Sequence, residues 1–436
     1  MNIPYTRHTL DNGLDVLVHE DHGCPIVAVN LWYHVGSKNE VPGRTGFAHL
    51  FEHLMFEGSQ HHDKGFFQPL QEAGALLNGS TNADRTNYWE VVPTNALELA
   101  LWMESDRMGF LLPALTDAKF QNQREVVLNE RRQNYENRPY GFASMAMMSA
   151  LYPASHPYSW MTIGAADDIR AARLDDVRAF FQTYYRPGNA SLALAGDVDT
   201  QVAIDLAAQY FGDLDAGEDP PAVQADAPAP PLAERRLLLE DRVELPRLYM
   251  AWHSPSLFAE DDAELDLVAE VLASGKTSRL FRSLVYEDRM ATEIAASQNS
   301  RELGGYFQIV ATAAPGRTLA ELERAIGQAL ESLIEEGPVA REMERCQAQA
   351  EANFVYRLQT VGGFGGKSDQ LNAYNIFLGD PGFFHRDLDR YRRVTPAAMQ
   401  RAAREWLDRS RRVLLSVVPR GRTELALAGS EPVAVS

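Results

Sequence analysis

The chain contains several segments in which apolar and polar residues alternate, the period of a β-strand with one buried face. The first two are GLDVLV, residues 13–18, and IVAVNLWYHVG, residues 26–36. A third, RLYMAWHSP, covers residues 247–255. These segments predict strands at the start of two separate regions of the chain.

Each strand region leads into a segment with helical periodicity. In TGFAHLFEHLMFEG, residues 45–58, Gly58 marks the expected end of the helix. The predicted apolar face comprises Phe47, Leu50, Phe51, Leu54 and Met55. The counterpart in the second region is DDAELDLVAEVLAS, residues 261–274.

Each region also closes in the same way, with a helix that feeds a final strand, over residues 177–198 and 399–419. The repeated order predicts an internal duplication. Strands mixed with long helices, without strict βαβ alternation, predict the α+β class. We therefore expect two homologous α/β-sandwich-like domains, each an antiparallel sheet packed with helices.

A stretch rich in proline, alanine and acidic residues separates the two regions. LDAGEDPPAVQADAPAPPLA, residues 214–233, contains five prolines and few side chains able to pack in a core. This composition predicts an extended linker. The predicted domains are residues 1–213 and 234–436, and a length of 436 residues agrees with more than one domain.

Composition narrows the choice of ligands. A net charge of −19 argues against nucleic acid and allows basic peptides, although acidity often serves solubility alone. Cys24 and Cys346 are too far apart in sequence to form a clustered cysteine metal site. No apolar run is long enough to span a membrane, and no signal segment is evident at the start. The expected location is the cytoplasm, or the periplasm if a signal has been removed.

The most informative short pattern is His49, Glu52 and His53 within the predicted helix. Residues i and i+4 lie one turn apart on the same side of a helix, so both imidazoles can reach one cation. Glu52 borders that side and can accept a proton from water. The H-x-x-E-H order is the inverzincin signature. The alternative for so short a pattern is a pair of partly buried histidines bonded to the backbone.

A third ligand candidate lies in the charged helix predicted over residues 116–136. Glu130 follows His53 with 76 residues between them. In this combination of motif and spacing the chain resembles the pitrilysin/insulinase metallopeptidases, which include mitochondrial processing peptidase. The resemblance covers nearly the whole chain and implies one Zn²⁺ held by His49, His53 and Glu130, with Glu52 as the catalytic base. It also implies that the two domains form half of a clamshell.

The same resemblance suggests further site residues. LNGSTNADRTNYWEVVP, residues 77–93, is similar to the family's strand beside the zinc helix, where Asn82 and Ala83 would offer backbone groups to an extended peptide; an ordinary internal strand is the alternative. Glu104 would orient a histidine ligand, or else pair with Arg107 three residues later. Gln123 stands where the family often has a second glutamate, two turns before Glu130.

The second half departs from the family pattern. Aligned on its SRLF start, residues 278–294 place Val285 and Thr292 where an arginine and a tyrosine would contact the substrate. We therefore expect a zinc-dependent endopeptidase that cleaves peptides or unfolded segments in a closed chamber. We also expect a dimer, preferably with a related subunit that lacks zinc and supplies the Arg/Tyr pair. The alternative function is a non-catalytic structural or assembly subunit that has kept the fold.

Overall fold

The computed structural model describes residues 1–223, 225 and 233–434. The chain forms two compact units, each built on one six-stranded sheet. Unit 1 contains Met1–Glu130, Met161–Gln224 and Asn353–Arg386, and unit 2 contains Arg131–Trp160, Ala225–Ala352 and Asp387–Ser436. Both combine a sheet with helices, as the sequence predicts.

The sheet of unit 1 has the strand order β1-β2-β6-β3-β5-β4. Its strands are β1 (Thr6–Thr9), β2 (Asp15–Glu20), β3 (Ile26–Tyr33), β4 (Leu76–Thr81), β5 (Thr86–Pro93) and β6 (Ala190–Gly196). Neighbouring strands pair antiparallel except β2 and β6, which are parallel. β4 is an edge strand and pairs only with β5 among the described strands.

Helices cover both faces of this sheet. They are α1 (Phe47–Leu54), α2 (Phe67–Glu72), α3 (Leu97–Ala114), α4 (Asp117–Arg131), α6 (Ala166–Ala171), α7 (Leu174–Tyr184), α8 (Thr200–Phe211) and α12 (Lys367–Leu378). Arg107 of α3 pairs with Glu90 on one face of β5, and Asp369 of α12 accepts from Trp32 of β3 on the other face. Because both faces are covered, β6 is buried along its whole length.

The sheet of unit 2 has the order β12-β7-β11-β8-β10-β9, in which β7 to β11 repeat the arrangement of β2 to β6. Its strands are β7 (Arg235–Asp241), β8 (Arg247–Ser254), β9 (Ala291–Asn299), β10 (Gly305–Ala313), β11 (Val413–Pro419) and β12 (Glu431–Pro432). The edge strands differ, because β12 follows β11 in the chain and pairs parallel with β7, whereas β1 pairs antiparallel with β2. The parallel pair β7–β11 corresponds to β2–β6. The predicted duplication is therefore confirmed in the topology, while the predicted antiparallel sheets prove to be mixed.

The helices of unit 2 enclose one continuous apolar core. They are α5 (Ala143–Leu151), α9 (Asp262–Ala273), α10 (Leu319–Glu336), α11 (Ala340–Arg357), α13 (Phe384–Arg393) and α14 (Pro396–Trp406). The largest buried side chain of this core is Trp252 on β8, 1% exposed. No helix of the described residues is long and apolar enough to cross a bilayer.

The compact units depart from the linear division at residues 214–233 in two places. Residues 131–160 pack with the second sheet, where α5 lies on β8 and β11, and residues 353–386 pack with the first, where α12 lies on β3 and β6. Each stretch belongs to the unit in which its side chains are buried. Local composition does not reveal this, because it does not show which sheet a segment packs against. Of the predicted linker, residues 224 and 226–232 lie outside the described residues, and residues 214–223 contain no helix or strand.

Candidate metal centre

The helix that carries the two histidines begins at a carboxylate rather than at a hydroxyl cap. Glu40 accepts from the backbone N–H groups of Gly46 (3.0 Å) and Ala48 (2.9 Å), and thereby satisfies the free donors of the first turn. Gly46 has φ of 89°, a conformation that favours glycine. α1 ends at Leu54, earlier than the predicted end at residue 58, and Gly58 with φ of 105° completes the following turn.

The structure brings the three predicted ligands together. The Nε2 atoms of His49 and His53 lie 3.6 Å and 3.3 Å from Oε2 of Glu130 on α4. The two imidazole rings are 4.8 Å apart and perpendicular. One ligand atom from each residue lies within 4.8 Å of the others, and this is the only such cluster among the described residues.

The donor set fits zinc. Two imidazole nitrogens and one carboxylate oxygen that converge on one point are the protein ligands of a catalytic zinc, with the fourth position left for water or substrate. Burial of the His49 ring, with the nearby His53, lowers the pKa of His49 to about 4. The ring is therefore neutral at pH 7, the form that binds a metal.

Glu52 lies beside this cluster in a mostly buried position. Burial raises the pKa of Glu52, and the Thr81 hydroxyl, His53 and Arg85 oppose that shift. A carboxyl whose pKa moves toward neutrality can accept and release a proton under the same conditions. Thr81 is the last residue of β4, so this hydroxyl links Glu52 to the free edge of the sheet.

Glu104 takes the second of its two predicted roles. Its carboxylate pairs with the Arg107 guanidinium, with Nε donating to Oε2 at 2.8 Å, and neither side chain is more than 1% exposed. Nδ1 of His49 is buried and has no hydrogen-bond partner in the part of the chain that the structure describes. Glu104 therefore does not orient His49 here, because its charge is taken up by Arg107.

Gln123 lies on α4, as predicted, and its side-chain amide donates to the carboxylate of Glu57. Glu57 follows α1 and supplies a negative charge where Gln123 has none. The sequence analysis did not identify Glu57. The position of Glu57, four residues after His53, was the feature of the sequence that could have indicated it. In the structure it faces the helix of Glu130.

The structure uses three of the backbone groups of Asn82 and Ala83 in hydrogen bonds within the chain. The Asn82 N–H donates to Arg85 O (3.0 Å), and the Asn82 carbonyl accepts from Ser37 N–H (3.1 Å). The Ala83 carbonyl accepts from Lys38 N–H (2.9 Å). These bonds close the β4–β5 turn and tie it to the segment after β3, a long-range contact that a local pattern does not reveal.

The free edge lies one step earlier, along β4 itself. Asn82 and Arg85 form a hydrogen-bonded pair, and antiparallel pairs alternate between bonded and non-bonded. The register therefore turns the backbone groups of Leu77, Gly79 and Thr81 outward, and of these the Gly79 N–H donates to Oδ1 of Asn78 at 2.8 Å. Arg85 supports this edge: its Nη1 donates to Ser80 O at 2.8 Å.

In unit 2, Val285 and Thr292 occupy structural positions. Val285 packs against the apolar core, and the Thr292 hydroxyl donates to the Thr312 carbonyl at 3.5 Å. Arg282 pairs with Glu287, and Tyr286 is 76% exposed.

Comparison with known proteins shows the family of the chain. The profile described as insulinase (peptidase family M16) matches residues 15–158, and the profile described as the peptidase M16 inactive domain matches residues 171–350. The chain belongs to peptidase family M16. His49, Glu52, His53 and Glu130 all lie within the first matched region. The M16 inactive-domain match covers Val285 and Thr292.

Individual relatives match most of this chain. The zinc protease PqqE of Helicobacter pylori is 29% identical over 356 residues, which are 81% of this chain and 80% of that protein. The crystal structure of a protease from Helicobacter pylori is 26% identical, with a TM-score of 0.87 over 95% of this chain and all of that one. The periplasmic protease PqqL of Escherichia coli is 17% identical with a TM-score of 0.76, and the match covers 98% of this chain but 50% of that one.

Proposed function

We propose that the chain is a zinc-dependent endopeptidase that hydrolyses extended peptides or unfolded segments. The observation that carries the proposal is the convergence of His49, His53 and Glu130 next to the mostly buried carboxyl of Glu52. Relatives that are named zinc proteases support the same activity. A zinc ion held by these three residues would polarise the peptide carbonyl and acidify the attacking water.

In this proposal Glu52 moves the protons. It accepts one from the attacking water and returns it to the leaving amine, as a general base followed by a general acid. The Thr81 hydroxyl and Arg85 stabilise the charged form of this carboxyl, so the proton is not held permanently. The neutral ring of His49 is available to the metal throughout the neutral pH range.

We further propose that substrates bind as an additional strand on β4. The outward backbone groups of Leu77 and Thr81 and the carbonyl of Gly79 supply the hydrogen bonds, independently of side-chain identity. Thr81 places such a strand beside Glu52. The expected substrates are therefore extended segments and not folded domains.

We also propose that a second chain completes the site. Val285 and Thr292 occupy the positions where the family has an arginine and a tyrosine, so this chain lacks that pair. Val285 packs against the apolar core, and the Thr292 hydroxyl donates to the Thr312 carbonyl. A related subunit that supplies such a pair would stabilise the charge that develops on the cleaved carbonyl. The match to half of the Escherichia coli protease, which contains a second portion of similar length, supports a two-part assembly. A location in the cytoplasm, or in the periplasm if a signal has been removed, stays a prediction that cell fractionation would check.

The test of the metal centre uses two matched glutamates on α4. We expect Glu130→Gln to lose bound zinc, because one of three ligands is removed. Glu125→Gln, an exposed change on the same helix, should retain one zinc per chain. Metal analysis of both purified variants decides the question without an activity assay, and equal zinc content in the two would overturn the assignment.

The role of Glu52 is tested separately. Glu52→Gln keeps the size of the side chain and leaves the three ligands in place, so zinc should remain bound. Cleavage should fall by about 10²-fold or more, the usual contribution of a general base. Cleavage by Glu52→Gln at the wild-type rate, with zinc still bound, would show that another group transfers the proton.

A further inference from the structure

Unit 1 contains a cavity of about 420 Å³ on the face of the sheet opposite α1. Its walls are apolar side chains of three neighbouring strands together with the glycine-rich loop before α12. The main lining residues are Ile26, Leu76, Trp89, Val91, Val361 and Gly362. Cys24, in the turn between β2 and β3, is exposed and lies at the rim.

The loop side of this cavity is held in place by its own hydrogen bonds. The N–H groups of Gly366, Lys367 and Ser368 donate to loop carbonyls, and the Gly365 N–H donates to Oδ2 of Asp369 at 2.7 Å. The loop also lies directly on the sheet, because a Cβ on Gly362 would come within 2.6 Å of both Ala28 and Val91. The cavity is therefore formed before any ligand binds.

These contacts argue against a phosphate as the ligand. The amides of residues 365–368 are already used within the loop, and the Lys367 ammonium pairs with Asp21 at 2.6 Å. What remains for a ligand is largely apolar surface, with Asp21, Gln359 and Thr360 also in the lining. Phe364 extends it, since this ring is 51% exposed and meets Trp89 edge-on at 5.5 Å.

The position of the cavity along β4 connects it with the reaction. Leu76 is the first residue of the strand and is 70% exposed, while Thr81 at the other end lies beside Glu52. Five residues of strand cover about 17 Å. Because side chains alternate between the faces of a sheet, an odd separation of five places Leu76 on the cavity face and Thr81 on the α1 face.

We propose that this cavity binds a large apolar side chain of the peptide substrate, five residues from the residue that pairs with Thr81. The proposal rests on the proposed strand addition at β4. An extended peptide on that edge passes the mouth of the cavity, and the parity of the spacing turns its side chain inward at that position. The cavity thus selects peptides that carry Phe, Leu or Met at a fixed distance from the cleaved bond.

Occupancy of the cavity can be measured without catalysis through Cys24. In the Glu52→Gln background, N-ethylmaleimide should modify exposed Cys24 and spare buried Cys346. The probe is a peptide that carries Phe at the fifth position, counted from the residue that pairs with Thr81. At about five times its Kd, this peptide should slow the modification of Cys24 about sixfold by mass action. The same peptide with Ala at that position should slow it much less at equal concentration.

The kinetic test uses a set of polar peptides in which one Phe is moved along the sequence. We expect kcat/KM to be about tenfold higher when Phe is at the fifth position, a common gain for one apolar side chain in a pocket. This gain should appear as a lower KM, with kcat unchanged. Leu76→Asp should abolish this preference, and Val202→Asp, at a position of α8 that is 49% exposed, should retain it.

The outcomes separate the cavity from the proposed activity. Hydrolysis with no positional preference, together with unchanged Cys24 modification, would overturn the cavity proposal and leave the peptidase intact. Protection of Cys24 by the Phe peptide without any hydrolysis would support the cavity as a peptide site and overturn the proposed activity.

Discussion

At the scale of single residues, the glutamates Glu52 and Glu104 of unit 1 have different surroundings. Glu104 is fully buried and paired with Arg107, whereas Glu52 is mostly buried beside His49 and His53 and forms no ion pair with an arginine among the described residues. Both were candidate site residues by sequence position. Their surroundings differ because the Glu104 carboxylate is taken up by the Arg107 guanidinium, whereas Glu52 lies beside the two histidines.

Arg107 should therefore be essential for stability. It lies between Glu104 and Glu90, and its guanidinium stacks on the Phe66 ring at 3.8 Å. Arg107→Met leaves two buried carboxyl groups without a counter-charge, and we expect a loss of about 3–5 kcal/mol in the free energy of unfolding. Arg170→Met, which breaks an exposed pair with Asp167, should cost less than about 0.5 kcal/mol. Urea unfolding of the two variants compares them, and equal losses would contradict the prediction.

His253 on β8 predicts a dependence of stability on pH. The residue is 3% exposed with Tyr152 edge-on at 5.0 Å, and burial, with a further effect of His156, lowers the pKa of His253 to about 4. In the unfolded chain the pKa is about 6.5. The unfolded state therefore binds the proton first as pH falls, and stability is lost between about pH 6.5 and 4, by up to about 3 kcal/mol.

The check compares urea midpoints at pH 7 and pH 4.5. We expect His253→Phe, which keeps an aromatic ring on Tyr152, to show a smaller fall in midpoint than the wild type. His8→Phe, at an exposed position of β1, should leave the fall unchanged. An unchanged pH dependence in His253→Phe would assign the acid sensitivity to other groups.

At the scale of elements, periodicity predicted the helices and strands well, because it reports which face of an element is buried. β3 begins at Ile26 and β8 at Arg247, as the alternating segments indicate. The end of α1 was misplaced, since Met55 is buried in a turn and not in a helix. The pattern of apolar residues indicates which side chains are buried. Burial alone does not distinguish the last turn of a helix from the loop that follows it.

Two glycines should respond oppositely to substitution by alanine. Gly327 lies inside α10 and an added Cβ meets no atom within 4 Å, so Gly327→Ala should stabilise by about 0.5–1 kcal/mol through helix propensity. Gly362→Ala places a Cβ 2.6 Å from Ala28 and Val91 and should destabilise by about 1–3 kcal/mol through overpacking. Thermal midpoints measure both, and the same sign for the two changes would contradict the packing argument.

At the scale of the whole molecule, the proposed partner subunit has a kinetic consequence. A chain that lacks the Arg/Tyr pair should bind one zinc and yet cleave slowly, with kcat/KM well below the roughly 10⁴ M⁻¹s⁻¹ of ordinary enzymes. Its specific activity should not rise with its own concentration, because a second copy supplies no such pair. Native mass measurement alongside the assay identifies the species present. Efficient cleavage by the isolated monomer would remove the need for a partner.

By itself the sequence predicted the class of fold, the duplication, and the grouping of His49, His53 and Glu130, which the structure brings together. These predictions rest on local periodicity and on a short motif whose distance from Glu130 resembles that of the family. Both are properties of the linear sequence. The tertiary structure alone decided that Glu104 serves Arg107, that Asn82 closes a turn, and that residues 353–386 complete the first unit. The physical reason is that a buried charge, a backbone donor or an apolar face takes the partner that is nearest in space, and that partner is often distant in sequence.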